Sequence, residues 1–275
     1  MNPTDYAWPM QADNFEWLVP DWPAPASVRA CCSTRKGGQS DGPYAGLNFG
    51  LHVGDNPQHV LSNRDLLQTH LGVRPVFMDQ VHGSHMLQLD SQVADGLAAD
   101  GAYTRQKGLA CTVMVADCLP ILLCDPQGLQ VAAVHAGWRG LLGARGRGVL
   151  ESAIETFSTV TPSPRNAGLE DPANLIAWLG PCIGPNAFEV GDEVRAAYVA
   201  HSAAAASCFR PGAAGKWWAD LPSLARQRLA DLGVVQTFGN DGSDNWCTVT
   251  HASRFFSHRR DGVSGRMAAC IWRVD

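Results

Sequence analysis

Between Val76 and Val134 five short apolar runs follow one another: Val76–Val81, His85–Leu89, Leu109–Val115, Leu119–Leu123 and Leu129–Val134. Gly, Asp and Pro punctuate them, and no helical segment intervenes. Parallel strands need crossover connections of about a dozen residues or more, so runs this closely spaced cannot form a regular βαβ ladder. They predict an α/β fold of mixed sheets, layered and flanked by helices. Further strands are expected at Val28–Ser33, Leu175–Leu179, Val234–Phe238 and Met267–Trp272. Asn56 followed by Pro57 reads as a helix N-cap with proline at the first position, and Val60, Leu61, Leu67 and Leu71 carry the apolar spacing on to Gly72. Other helices are expected at Gly146–Phe157, Asp192–His201 and Leu221–Leu232. Residues 1–27, rich in Pro, Trp and Asp without periodicity, read as an irregular lead-in. No low-complexity linker divides residues 28–275, which read as one domain.

Composition narrows the function classes. Charged residues make up 17% and hydrophobic ones 45%, which fits an extensive interior and excludes disorder as the global state. The net charge, 21 − 26 = −5, lacks the basic footprint of a nucleic-acid binder. Nine cysteines without a C-x-x-C fit neither a disulfide framework nor a zinc ribbon, and most read as small buried hydrophobes in a reducing compartment. The first residues carry no basic segment followed by an apolar core, so a cytoplasmic location is expected. Asp117 and Pro120 interrupt the most apolar stretch, Leu109–Cys124, so no membrane span is expected. No heptad run suggests assembly, and a monomer is expected.

Three segments place metal-capable side chains at the ends of apolar runs: Gln80-Val81-His82-Gly83, Ala116-Asp117-Cys118-Leu119-Pro120 and Val134-His135-Ala136-Gly137-Trp138-Arg139-Gly140. Together His82, Cys118 and His135 make a His2Cys set, the ligand number of an open catalytic zinc site. Their separations, 118 − 82 = 36 and 135 − 118 = 17 residues, fit no compact finger, so only the fold could bring them together. The same residues allow a rival: Cys118 as nucleophile and His135 as its base, oriented by Asp117 or Asn48. Zinc ligation and an ion-paired thiolate both need a depressed thiol pKa, and sequence does not separate them.

Arg35 and Arg139 stand in Gly-rich turns, where a guanidinium can grip phosphate or serve a structural ion pair. His52 reads as bordering the same pocket. Were residues 82–85 a strand, His85 would face away from His82. The glycines of 140–148 match neither a dinucleotide fingerprint nor a P-loop. Phe255-Phe256-Ser257-His258-Arg259-Arg260 is expected as a closing edge strand, with an aromatic face to the core and a basic side near substrate.

Several ordered motifs carry a family resemblance: Ser33-Thr34-Arg35-Lys36-Gly37-Gly38, Gly42-Pro43-Tyr44-Ala45-Gly46-Leu47-Asn48, Gly54-Asp55-Asn56-Pro57, Asp79-Gln80-Val81-His82-Gly83, Ala116-Asp117-Cys118-Leu119-Pro120, His135-Ala136-Gly137-Trp138-Arg139-Gly140, Leu179-Gly180-Pro181-Cys182-Ile183-Gly184-Pro185 and Phe188-Glu189-Val190. From about Val28 to the end the chain resembles the YfiH family, the laccase-domain or polyphenol-oxidase-named proteins. That resemblance implies a layered α/β sandwich related to the deamidase domain of cytotoxic necrotizing factor, with zinc on His82, Cys118 and His135. It implies a purine nucleoside phosphorylase acting on adenosine, inosine, guanosine or methylthioadenosine with phosphate, and an adenosine deaminase activity beside it. Catalytic roles are then expected for Cys118, His135, Arg139 and Arg35, and substrate contacts for Asn48, His52 and Asp117. Gly46 departs from the commoner Ser, and the extra glycines of 140–148 loosen the start of the next helix.

Two alternatives stand beside this expectation. A Cys118–His135 amidase would act on a peptidoglycan-type amide. A copper-dependent phenol oxidase would be weak, because nine histidines with no His-x-His cannot furnish a multicopper centre; Cu2+ would sit on the His2Cys set as an adventitious or alternative metal.

Overall fold

The computed structural model describes residues 15–158 and 171–275. Fourteen strands among them form three sheets. The first has the order β1 (Trp17–Leu18), β2 (Val28–Ser33), β14 (Met267–Arg273), β6 (Leu109–Val115) and β3 (Arg74–Phe77). The second runs β13 (Gln236–Gly239), β9 (Ile176–Leu179), β7 (Leu119–Cys124), β8 (Val131–Ala136), β5 (Gly101–Thr104) and β4 (Met86–Gln88). A small third sheet joins β10 (Glu189–Gly191), β12 (Lys216–Ala219) and β11 (Phe209–Pro211). Both large sheets mix parallel and antiparallel pairs: β3 runs parallel to β6, and β14 antiparallel to β6 and β2. This is the mixed α/β sandwich that the strand succession predicts.

The period-two alternation of the strands assigns the layers. Cys111 and Val113 of β6 and Ala269 and Ile271 of β14 pack with Leu122 of β7, Val131 and Ala133 of β8 and Trp178 of β9 into one core between the large sheets. The opposite face of the first sheet, with Ala110, Met114, Cys270 and Trp272, packs on Leu67 and Leu71 of α1 (Pro57–Leu71). The outer face of the second sheet, with Ile121, Leu123, Ala132 and Val134, is covered by helices. These are α3 (Val149–Ser158), α4 (Asp192–His201) and α5 (Leu221–Asp231), through Leu150, Ala153, Val194, Leu224 and Leu229. Two sheets each buried on both faces leave β6, β7 and β8 without one exposed residue, the structural counterpart of the low charge content. No described helix is long and apolar enough to cross a membrane.

The structure corrects several expectations. Trp17–Leu18 pairs with the end of β2, so the lead-in is not wholly irregular; Trp17 stacks on His70 at 4.4 Å. Residues 1–14 lie outside the described residues. On α1 the buried face is Val60, Asn63, Leu67 and Leu71, whereas Leu61 is 44% exposed. Asn63 holds the core face by hydrogen bonding to Ser40 Oγ and to the Asn48 carbonyl. A short α2 (Trp138–Leu142) precedes α3, which starts at Val149 rather than Gly146 because Arg145 and Gly146 both adopt positive φ. The strands Gly101–Thr104, Glu189–Gly191, Phe209–Pro211 and Lys216–Ala219 were not anticipated. Phe255–Arg260 is no edge strand. Consecutive Phe255 and Phe256 are both fully buried, which alternation forbids in a strand with one solvated face. The Ser257 side chain then caps α6 (His258–Asp261) by accepting from the Arg260 amide.

Candidate metal centre and its cleft

Three connections at one end of the second sheet converge. Cys118 sits directly before β7, in a turn whose Asp117 has φ +97°. His135 is the penultimate residue of β8, and pairing of Leu119 with Ala136 and Pro120 with His135 sets it beside Cys118. His82 lies in a bend after β3 with φ +59°, beyond the strand end that its sequence context suggests. The Cys118 Sγ and His82 Nε2 atoms are 3.8 Å apart, and one ligand atom from each of the three residues lies within 4.8 Å of the others. Gly137 permits the approach: a Cβ there would stand 3.0 Å from Cys118 Sγ and from His82 Cδ2.

Asp100, fully buried in the connection before β5, organises the cluster. Its carboxylate accepts from the amides of His82 (2.8 Å) and Gly83 (2.6 Å), and from the His135 Nδ1–H at 2.9 Å. A carboxylate can only accept, so Nδ1 carries a proton, and in the neutral ring Nε2 of His135 is the nitrogen whose lone pair is left for a metal. Burial pushes the Asp100 carboxyl up, but the His135 ring and the Gly83 and His82 amides outweigh it and hold the group below the usual carboxylate range. Burial likewise opposes ionisation of Cys118, yet the His135 and His82 imidazoles bring the thiol down to about 6. Burial also works against an imidazolium at His135, and Cys118 and Asp100 together raise it to about 9.

This donor set fits a metal ion. Tetrahedral zinc with bonds of about 2.0–2.3 Å places its ligand atoms roughly 3.3–3.7 Å apart. The Cys118–His82 separation of 3.8 Å is close to that span without a metal to draw the pair together. Metal ligation and a cysteine–histidine ion pair make different use of His82, which only the first requires.

The cluster lies in a cleft of about 400 Å³, a volume within the range of small-molecule sites. Met114, Trp138, Ile183, Phe188 and Leu221 form its apolar lining; His52, Gln80, Asp117, His258, Arg259 and Arg266 are the polar groups beside the ligands. Gln80 is fixed by a two-way pairing with the Met114 backbone, donating to its carbonyl at 2.8 Å and accepting from its amide at 2.7 Å. Asp117 accepts from the Thr248 hydroxyl at 2.6 Å and from the Arg259 amide at 2.7 Å.

Residues 29–274 match the family described as multi-copper polyphenol oxidoreductase laccase. The chain belongs to that family. It is 48% identical to the purine nucleoside phosphorylase YfiH of Shigella flexneri, across 94% of this chain and 98% of that protein. Identity to the purine nucleoside phosphorylase of Pseudomonas aeruginosa is 46%, across 94% and 99%. The crystal structure of Neisseria meningitidis protein NMB0706 superposes with a TM-score of 0.85 at 41% identity, covering 94% of this chain and 99% of that one.

Of the residues expected at the site, His82, Cys118, His135, His52 and Asp117 line the cleft, and Asn48, Arg35 and Arg139 do not. Asn48 is fully buried, and its side chain ties Gly50, Asp55 and the Arg266 amide together. Arg35 donates to the carbonyls of Ala45 and Ala252 and lies over the Phe256 ring. Arg139 is exposed, with its guanidinium 4.2 Å from the centre of the Trp138 ring. His85 is absent from the cleft lining, and the segment containing it is a bend, so strand alternation is not the reason. Sequence reasoning missed Asp100 and Arg266, whereas His258 and Arg259 do line the cleft, as the basic side of Phe255–Arg260 was expected to, although from a short helix and not an edge strand. An acidic residue in the otherwise apolar Leu97-Ala98-Ala99-Asp100-Gly101-Ala102 was the one signal for the first.

Proposed function

We propose that this chain is a zinc-dependent purine nucleoside phosphorylase acting on adenosine, inosine, guanosine and methylthioadenosine, with adenosine deamination as a second activity of the same cleft. The observation that carries the reading is the convergence of His82, Cys118 and His135 on a half-apolar cleft of about 400 Å³. The names of relatives at 46–48% identity, purine nucleoside phosphorylases, support the substrate class. Two imidazoles and one thiolate suit zinc, and three protein ligands leave a position open. Nine histidines without a His-x-His pair do not suit the several coppers in the family's description.

In phosphorolysis a phosphate oxygen bonds to C1′ as the C1′–N9 bond breaks, and the bonding pair leaves on the purine, which takes up a proton. Trp138, Ile183, Phe188 and Leu221 seat the flat base and exclude water, which strengthens the electrostatic contacts around it. Partial burial and the neighbouring Arg266 lower the pKa of His52, which keeps its ring neutral at pH 7 and able to accept a proton. Both Asp117 oxygens are engaged, so that carboxylate holds the Arg259 backbone in place rather than exchanging protons. Bound zinc would supply Lewis-acid polarisation of the substrate atom that gathers negative charge.

The test is chromatography of the zinc-loaded protein with each nucleoside, with and without phosphate. With phosphate, free base is expected together with ribose 1-phosphate, or with 5-methylthioribose 1-phosphate from methylthioadenosine, and without phosphate inosine from adenosine. Absence of turnover with all four nucleosides would overturn the reading. The nearness of Cys118 and His135, whose ligand atoms lie within 4.8 Å, favours an amidase as the second reading, which predicts amide hydrolysis by zinc-stripped protein.

A further inference from the structure

Phosphorolysis needs a binding site for a multiply charged anion, and the two arginines that their Gly-rich turns suggested are not in the cleft. Arg35 uses its guanidinium on carbonyls, and Arg139 rests on the outside of Trp138. Two other arginines line the cleft together with His82, Cys118 and His135. Arg266 is partly buried and, among the described residues, makes no ion pair with any carboxylate. Its Nη1 donates to the carbonyls of Ser264 (2.9 Å) and Gly265 (3.0 Å), whereas Nε and Nη2 have no hydrogen-bond acceptor among the described residues. Arg259 likewise commits only Nη1, to the Glu189 carbonyl at 3.1 Å. Its backbone is pinned to Asp117, the neighbour of Cys118.

The stem of Arg266 sits in a built cradle. Its amide donates to Asn48 Oδ1 at 2.8 Å, and its carbonyl accepts from the Phe49 amide at 3.1 Å. A Cβ at position 50 would stand 2.9 Å from Arg266 Cγ, so Gly50 makes room for that stem. A partly buried guanidinium that keeps donors free and has no carboxylate partner can take an anionic ligand as that partner. Planar donors left free in pairs match the oxygens of a tetrahedral oxyanion.

We propose that Arg259 and Arg266 form the subsite for inorganic phosphate in the metal cleft, with Asn48 and Gly50 as positioning residues for Arg266. The proposal rests on the phosphorolysis reading and deepens it. Phosphate held there lies in the same cleft as the metal ligands, where the reacting sugar must also sit, and its negative charge is balanced by the two guanidinium groups.

The test uses the zinc-loaded full chain with Arg266→Gln, Arg259→Gln, Arg35→Gln and Arg139→Gln. Losing one charge-assisted contact should raise KM for phosphate about 10- to 100-fold in Arg266→Gln and in Arg259→Gln, with KM for the nucleoside within about threefold. Phosphate should raise the thermal midpoint of the native chain and fail to do so in the Arg259→Gln, Arg266→Gln double variant, a readout that needs no turnover. Unchanged phosphate KM and an unchanged phosphate-induced shift in both single variants would overturn the proposal, most directly if Arg35→Gln or Arg139→Gln raised the phosphate KM instead. If the native chain turns over no nucleoside, the phosphorolysis reading fails while the thermal shift still decides the subsite. Arg259 is at the surface, so its variant keeps the test alive should Arg266→Gln not fold.

Discussion

Replacing Asp100 by Asn changes one oxygen to an amide and leaves volume and shape almost intact, yet it should disable the metal centre. In the native chain the Oδ1 atom accepts from the His82 amide at 2.8 Å and from His135 Nδ1–H at 2.9 Å, and Oδ2 accepts from the Gly83 amide at 2.6 Å and the Val81 amide at 3.3 Å. Asparagine keeps a single acceptor oxygen. If that oxygen takes the Oδ2 place and keeps the Gly83 and Val81 amides, the new NH2 takes the Oδ1 place against the His82 amide and His135 Nδ1, which must then become the acceptor and move its proton to Nε2. A protonated Nε2 cannot bind a metal, so the substitution sets tautomer preference against ligation. Loss of such a supporting partner weakens metal binding by about 10- to 100-fold, equivalent to roughly 1.4–2.8 kcal/mol.

The fold should suffer as well. Each hydrogen bond to a charged group contributes about 1.5–3 kcal/mol, and the variant loses one or two of them in a fully buried place, so the metal-free protein should lose roughly 1.5–6 kcal/mol. Two measurements separate the effects: zinc competition against a chelator of known affinity, and denaturant unfolding of the metal-free chain. A zinc affinity within twofold of native, with unchanged stability, would show that Asp100 does not orient His135 and would refute the reasoning.

Alanine at His82, Cys118 or His135 should abolish bound zinc and turnover alike, because a three-ligand site fails as a whole; near-normal zinc and activity in His82→Ala would promote the Cys118–His135 dyad instead. Gly137→Ala should cut zinc affinity at least tenfold with modest loss of stability, since its Cβ would press on two ligands at 3.0 Å; metal content of the purified variant checks this. In metal-free protein, alkylation of Cys118 should rise with pH around a midpoint of about 6, while the hydrogen bond with Cys270 and burial hold the Cys31 thiol up and burial holds up those of Cys32, Cys111, Cys124, Cys182 and Cys208; peptide mapping after iodoacetamide reads both. The thiolate's contribution to metal-free stability is in place above the ordinary thiol value of about 9 and is lost as pH falls through about 6. That of the His135 imidazolium is in place below about 6.5 and lost as pH rises through about 9, so between those values the two slopes oppose and the pair leaves stability flat in pH.

The strands that were legible are those buried on both faces. Leu109–Val115 and Val28–Ser33 have the bounds their apolar runs suggest, because nearly every residue in them is buried against one layer or the other. The helix from Pro57 was legible from its ends, with the Asn56 side chain accepting from the Gln58 amide and Gly72 closing it at φ +67°. Gly101–Thr104 and the third sheet were not. Their residues are short runs with mixed burial, held by long-range pairing such as Gly101 with Val134 and Val190 with Trp217, which local pattern does not encode. The thiols were read correctly as a class, since eight of the nine are buried and Cys118 is the exception.

For the site, what sequence exposed was chemistry that a residue carries alone, and what it hid was chemistry that depends on a partner. A histidine or cysteine at the end of an apolar run announces a ligand by its type, and His82, Cys118 and His135 converge accordingly. A guanidinium or carboxylate is ambiguous until the fold supplies or withholds its counterpart. Arg35 and Arg266 both follow or flank glycines and both end beside backbone carbonyls, but Arg35 spends its donors at Ala45 and Ala252 while Arg266 keeps two free in the cleft. Asp100 and Asp117 are both acids beside the metal ligands; the one that reaches a ligand ring is the one with no polar neighbour in sequence, fully buried where only a network of four donors from Val81, His82, Gly83 and His135 could keep it charged. Free donors at Arg266 and a carboxylate with four donors at Asp100 thus point to opposite roles: an arginine that waits for an anionic ligand, and an aspartate whose ligand-orienting work is already complete in the folded chain.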